Sequence, residues 1–326
     1  MVNVTRTCTL RISGGLIICL AFACLVLPPS DAAASGTVGD VLRRLEFAVE
    51  PSMWYSLGEA GFKGDDGEWS WKLVYPLDGW VAEIRAESRF PFTIGHRRAG
   101  VSVRARHARS IRVNVTSTDT DWDSLGIVGD YSESDCEADI SMWDIDAAFS
   151  VHIPQHTIPV TLDIGALAGY GVQSFGFTDT NLHVTVSDHS QTDYYRSGVN
   201  AYYNMEIRYG RLGAFGHMLT HEKLRCYLEA TYVPYLEASG DAYWVLREYR
   251  FWQAAGGKGY TLTVRADYDI WDYLSISTSL RRVSLVADDD GLQGGALPGD
   301  HYEDDPILSE ITSKYFGVEV GAALRF

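Results

Sequence analysis

Along most of this chain, apolar and polar residues alternate one for one. In Tyr315–Phe326 one face takes Phe316, Val318, Val320, Ala322, Leu324 and Phe326, and the other takes Tyr315, Gly317, Glu319, Gly321, Ala323 and Arg325. From Tyr260 the series Tyr260, Leu262, Val264, Ala266, Tyr268 interleaves with Thr261, Thr263, Arg265, Asp267. The same rhythm recurs around Asp144–Val151, Val160–Ala166 and Leu274–Arg281. Period two predicts strands with one apolar face, not helices. Laying strands on these runs gives about ten. Short turns are predicted at Arg89–Thr93, Pro154–Pro159, Thr220–Lys223 and Ile270–Tyr273, and long polar connections near Gly61–Glu68, Arg106–Asp135, Phe177–Arg196, Asp241–Lys258 and Ala287–Lys314.

A soluble sandwich also alternates, so rhythm alone does not choose between protein core and lipid. Three further features do. The chain ends on an aromatic, Phe326, inside its last run. Aromatics such as Trp69, Trp71, Tyr75, Trp80, Tyr232, Tyr235, Trp271 and Tyr273 gather near run ends, as interfacial girdles require. Long connections and tight turns also alternate, giving a loop rim and a turn rim. A closed barrel leaves no unpaired strand edge in lipid. The expected fold is therefore all-β, a transmembrane antiparallel β-barrel of about ten strands with long extracellular loops and short periplasmic turns. Its expected place is the outer membrane, with loops facing the cell exterior.

The N-terminus fits that destination. Arg6 and Arg11 precede an apolar run, Gly14–Leu27, followed by Pro28, Pro29 and the small residues Ala32–Ala34. This order is that of a secretory leader, and the run is short of the ~20 residues of a spanning helix. Residues 1–34 are read as the signal peptide and 35–326 as the barrel domain. Net charge is −16, and removing a leader that holds Arg6, Arg11 and Asp31 makes it −17. An acidic body excludes nucleic acid as a partner and suits cationic ones. Cys8, Cys19 and Cys24 leave with the leader. Cys136 and Cys226 fall at opposite rims, roughly 25 Å apart or more, and are expected to be free. With no CxxC and no Cys/His pair at zinc spacing, no cofactor or metal site is expected.

Chemistry is expected at the loop rim, because a barrel of eight to ten strands fills its lumen with side chains and leaves little room for a channel. One acidic segment there is Thr118-Asp119-Thr120-Asp121-Trp122-Asp123. If extended, Asp119 and Asp121 point the same way; two close carboxylates cannot both ionise freely, and such a pair can hold and activate a water. The bland alternative is a solvated loop or a calcium site. A second segment, Ser239-Gly240-Asp241-Ala242-Tyr243-Trp244, places Asp241 and Tyr243 on one face. The runs Asp65-Asp66, Asp288–Asp290 and Glu303–Asp305 read as solvated faces.

Together these segments resemble the omptins, outer-membrane endopeptidases built on ten-stranded barrels. TDTDWDSLG resembles the family's Asp-x-Asp-Trp segment, LEASGDAYW the segment at the top of its seventh strand, Trp71-Lys72 a Trp-Lys of its second strand, and Asp300-His301 a pair in its last loop. The resemblance implies an aspartic-type endopeptidase that cleaves beside basic residues at the cell surface and needs lipopolysaccharide. It implies Asp119 and Asp121 as the aspartate pair, Asp241 as the aspartate orienting a histidine, and Glu133 as a substrate-binding acid. The chain departs from the pattern where it matters most. Tyr243 stands at the histidine position and Ser239 at a nearby aspartate, and a phenol with a pKa near 10 is a poor base at neutral pH. His217 and His221 lie in a strand and a turn away from the site. The alternative is a non-catalytic surface barrel for adhesion or ligand binding, with a small channel as a third reading.

Overall fold

The computed structural model describes residues 45–326, except 66, 124–125, 127, 154–159, 188–193, 222, 246–247, 297–302 and 306–307. The leader, the turn at Pro154–Pro159 and the Asp300-His301 pair therefore lie outside the described residues. Twelve strands follow in order: β1 Glu46–Asp65, β2 Trp69–Pro76, β3 Gly79–Ile94, β4 Arg97–Asp123, β5 Val128–Ile153, β6 Thr161–Ser187, β7 Tyr194–His221, β8 Leu224–Trp244, β9 Tyr249–Trp271, β10 Leu274–Ala296, β11 Glu303–Asp305 and β12 Leu308–Arg325. Every pairing is antiparallel, strands adjacent in sequence pair except β2 with β3 and β11 with β12, and β12 returns to β1, so the ring closes. β2 and β3 pair with the same two strands, β1 and β4, at different heights, and so form one interrupted stave. β11 is a three-residue hairpin arm on β10. Ten staves result.

The barrel is inside out relative to a soluble protein. On β12 the apolar positions Phe316, Val318, Val320 and Leu324 are exposed, Val320 at 61%, while Tyr315, Glu319 and Ala323 are buried. On β10 Ile276 and Leu280 face out, and Ser275, Ser277, Ser279 and Arg281 face in. An exposed apolar belt that circles the whole molecule is satisfied by lipid, not water. On β1 the belt runs from Phe47 to Leu57, the length of a tilted membrane-spanning strand. Aromatics mark its edges. Trp271, Tyr273 and Phe326 stand at the turn rim; Tyr55 against Trp80 (ring centroids 5.3 Å apart) and Trp143 against Tyr170 (5.7 Å) stand at the other edge.

The strands do not stop at the belt. β4 has 27 residues, which at ~3.3 Å per residue and ~40° tilt rises roughly 65–70 Å, against an apolar band of ~25 Å. Most of the polar segments expected as long loops are hydrogen-bonded wall: between β4 and β5 only residues 124–127 connect, and between β8 and β9 only 245–248. Polarity in these stretches marks emergence from lipid rather than the end of pairing. At the turn rim, Gly95 at φ +60° makes a two-residue turn with His96, a few residues beyond the predicted Arg89–Thr93.

Three layers fill the lumen. Nearest the turn rim lies a cavity of about 540 Å³ lined by charged side chains. At belt height comes a lattice of ion pairs: Glu83 accepts from Arg281 (3.0 Å) and Arg85 (2.5 Å), Arg211 bonds Asp144 (2.8 Å) and Asp146, and Arg265 reaches Glu50. Buried charges persist only when paired and hydrogen-bonded in this way. Above them sits an apolar plug that includes Phe62, Tyr75, Ile140, Phe175, Phe177, Tyr203, Met205 and Leu236, each at most 2% exposed. Tyr75 stacks on Phe177 at 3.9 Å and Phe62 meets Tyr203 at 4.1 Å. The plug bars an open pore.

Candidate functional site

On β4 and β8, which side chains face the lumen at the loop rim is decided by one bulge in each strand. In the lower part of β4, Arg104, Arg106 and Ala108 point inwards. Between Arg109 and Val113 the strand advances four positions while β5 advances three, from Ser141 to Ala138. One inserted residue flips the face of everything beyond it. Val113, Ser117, Asp119 and Asp121 consequently turn inwards. The bulge is held by the Ser110 hydroxyl, which accepts a hydrogen bond from the Ile140 amide at 2.8 Å.

β8 does the reverse. Glu229, Thr231 and Val233 face in below Pro234. From Val233 to Leu236, β8 advances three positions against two on β9. Pro234 sits in the bulge, where its missing N–H costs no ladder bond. Beyond it Leu236, Ala238, Gly240 and Ala242 face in, and Glu237, Ser239, Asp241 and Tyr243 face out. Tyr243 packs on the outer wall beneath its cross-strand neighbour Arg250, whose guanidinium lies 5.4 Å from the ring centroid.

Asp119 stands opposite Leu73 and Ser132, and Asp121 opposite Trp71 and Asp130, all on the inner face. The structure therefore brings Asp119 and Asp121 together with Asp130, whose Oδ1 is buried without a hydrogen-bond partner. It does not bring Asp241 or Tyr243 to them. Nor does Glu133 join: it stands on the outer face of β5, accepting a hydrogen bond from the Tyr131 hydroxyl at 2.7 Å, opposite Thr118 and His183. The constellation expected from the resemblance is thus split, because Asp241 and Tyr243 are turned outwards by the β8 bulge and Glu133 lies on the outer face of β5. Among the described side chains, no histidine shares the inner wall with Asp119 and Asp121.

The far wall leaves no room for a dyad. A Cβ on Gly240 would lie 1.9 Å from the Tyr203 hydroxyl oxygen, and that hydroxyl donates to Gln253. Burial, and secondarily the charge of nearby Asp241, hold the Tyr203 phenol well above its usual range, so it stays neutral.

Below the acid pair lies a cluster that sequence reading missed. Asp179 of β6 accepts hydrogen bonds from Ser117 (2.9 Å) and Tyr75 (3.2 Å), with the Cys136 thiol opposite it in register. Burial raises its carboxyl, the neutral donors only partly offsetting this. Burial and then the Asp179 charge push the Cys136 thiol up, so it is no nucleophile, and Cys136 and Cys226 are both free. Asp130 and Asp179 were concealed because they lie where loops were expected. Once β5 and β6 extend past the belt, Asp130 alternates in phase with Ser132 and Ser134.

No protein-family model matches the chain, and no curated protein matches it in sequence. Among solved structures it is similar to the outer membrane protease OmpT of Escherichia coli, at 13% identity and a TM-score of 0.69 over 86% of this chain and 97% of that one. It overlaps more loosely the translocator domain of the autotransporter NalP of Neisseria meningitidis (12%, TM-score 0.38, 91% and 92% covered) and the outer membrane protein OprG of Pseudomonas aeruginosa (8%, 0.32, 86% and 95%). The first likeness, added to the ring of ten staves and the apolar belt, gives the fold: a transmembrane β-barrel of omptin-like architecture.

Proposed function

We propose that this chain, after removal of residues 1–34, is an outer-membrane barrel with its loop rim facing outwards, which binds cationic peptide segments there without cleaving them. The observation that supports this reading is the division of the two walls: Asp119, Asp121 and Asp130 face inwards beside Trp71, while Asp241 and Tyr243 face outwards and Tyr203 occupies the space across from them. Carboxylates next to an indole suit Lys or Arg side chains. General-base assistance is worth about 10²–10⁴ in rate, and no described group on the far wall can give it.

The second reading, an aspartic-type endopeptidase, is favoured by the inward Asp119–Asp121 pair on an omptin-like barrel. One assay separates the two. The refolded barrel is given lipopolysaccharide and a fluorogenic dibasic peptide, and both cleavage and retention of the peptide are measured. Binding without cleavage is expected, weakened at least tenfold in the double variant D119N/D121N, with no cleavage gained in Tyr243→His because that side chain points away. Cleavage by the parent that is lost in Asp119→Asn would establish the protease instead.

A further inference from the structure

Nine arginines and nine carboxylates line the turn-rim cavity, and they are unequally engaged. Deep in it, guanidiniums are shared between acids: Arg211 by Asp144 and Asp146, and Arg281 by Glu83 and Glu319. Towards the turn rim the pairing thins. Among the described residues Arg89 has one carboxylate partner, Asp163 at 3.2 Å, and Arg225 and Arg325 divide Asp269 between them. Glu87 has one ion-pair partner, Arg104 at 3.3 Å. That guanidinium is drawn across the lumen, over the Phe215 ring (4.7 Å to its centroid) and onto the Tyr227 hydroxyl.

Glu87 and Arg89 are the charges this leaves facing the cavity. Both point inwards from β3, yet their side chains are 39% and 34% exposed, against 6% for Arg211 and 8% for Arg281. As alternate residues of one strand they stand about 6.6 Å apart along it. Two residues of extended chain span about 7 Å, so the ammonium and carboxylate of a free dipeptide are separated by the same length. At 540 Å³ the cavity has the volume of roughly 18 waters at ~30 Å³ each, enough for the two side chains as well. The balance of signs selects the same ligand class. An anion or a cation alone would leave an uncompensated charge in a low-dielectric lumen, whereas a zwitterion adds none. The apolar plug closes the loop side, so entry is from the turn rim.

We propose that this cavity binds a zwitterionic dipeptide, with its ammonium on Glu87 and its carboxylate on Arg89. The site lies across the plug from Asp119 and Asp121 and is independent of the function proposed above, so either can fail without the other. The orientation of the barrel decides which compartment supplies the ligand, but binding in detergent does not depend on it.

Isothermal titration calorimetry of the whole barrel in a non-ionic detergent tests this, with dialanine, N-acetyl-dialanine and dialanine amide as separate probes. Dialanine is expected to bind saturably, and each blocked form at least tenfold more weakly. Glu87→Gln should weaken dialanine at least tenfold and leave N-acetyl-dialanine unchanged, a selectivity that misfolding cannot mimic. Arg89→Gln should weaken dialanine as much and leave the amide unchanged. The double variant D119N/D121N should bind all three like the parent. The absence of saturable dialanine binding with a Kd below about 1 mM overturns the proposal. So does N-acetyl-dialanine binding as tightly as dialanine, which would mean a plain anion site, or equal dialanine affinity in the parent and Glu87→Gln.

Discussion

β4 and β8 face each other across the upper lumen, and each carries one inserted residue, with opposite consequences. The insertion at Ser110–Arg112 brings a carboxylate pair into the barrel; the insertion at Pro234–Tyr235 takes an aspartate and a tyrosine out of it. Both strands present the motif spacing expected of an omptin, yet only one presents it to the lumen. In a barrel, residue identity and spacing do not define a site until the parity of every strand beneath it is known.

Shifting the alternation above a bulge by one residue should break this arrangement most severely. Deleting Ala238, beyond the β8 bulge, shifts the alternation by one residue, so that Ser239, Asp241 and Tyr243 turn towards the plug while Gly240 and Ala242 turn to water. Each unpaired charge driven against buried aromatics costs several kcal/mol. Refolding is expected to fail, read as loss of the heat-modifiable band on a gel. Deleting Thr116, beyond the β4 bulge, should be nearly as harmful, because Ser117, Asp119 and Asp121 would leave the interior. A ΔAla238 barrel that refolds and cleaves a dibasic peptide would show that strand parity alone separates this chain from a protease.

The two bulges also mark how far the sequence could be read. Alternation in β9, β10 and β12 revealed strand number, the inside-out pattern and membrane residence, because faces are uniform within the belt. Above it both faces become polar, the contrast fades, and Arg106–Asp135 read as a loop although nearly all of it is paired. The β8 bulge had a visible marker in Pro234, since proline inside a strand points to an edge or an irregularity. The β4 bulge had none: Ser110-Ile111-Arg112 contains neither glycine nor proline, and its stabilising bond comes from a residue 30 positions away. Asp119 and Asp121 were therefore identifiable as a pair, but their direction was not. Tyr203, which fills the far wall, looks in sequence like any other aromatic of a Tyr-rich strand.

A smaller perturbation sharpens the contrast at the far wall. Gly240→Ala places a methyl group on the Tyr203 hydroxyl and should destabilise the barrel by about 1–3 kcal/mol, the usual cost of overpacking. Tyr203→Phe removes the obstructing oxygen but leaves Gln253 Oε1 without that donor, costing about 1–3 kcal/mol by itself. The double variant should be less harmed than the two losses added together. Thermal unfolding of the four proteins in one detergent gives the coupling. Strict additivity would mean that Tyr203 moves aside freely and that the far wall has room for a larger side chain.

The mildest test lies at the near wall, where Ser117, turned in by the β4 bulge, donates to Asp179. Burial raises the Asp179 carboxyl above its ordinary 3.8, so between that value and the higher folded one the native barrel binds more protons than the unfolded chain. Stability contributed by this group is therefore full at acid pH and falls as pH rises through the window, levelling off once the buried carboxylate is ionised. Asp179→Asn should abolish that decline and leave the variant more stable relative to the parent at pH 7 than at pH 3.5. Ser117→Ala should steepen it, because the lost donor stabilised the ionised form. Unfolding temperatures of the three proteins across this pH range measure the effect. A parent curve that rises with pH relative to Asp179→Asn would mean that water or a cation reaches Asp179, and that the plug is open on the side that carries the acid pair.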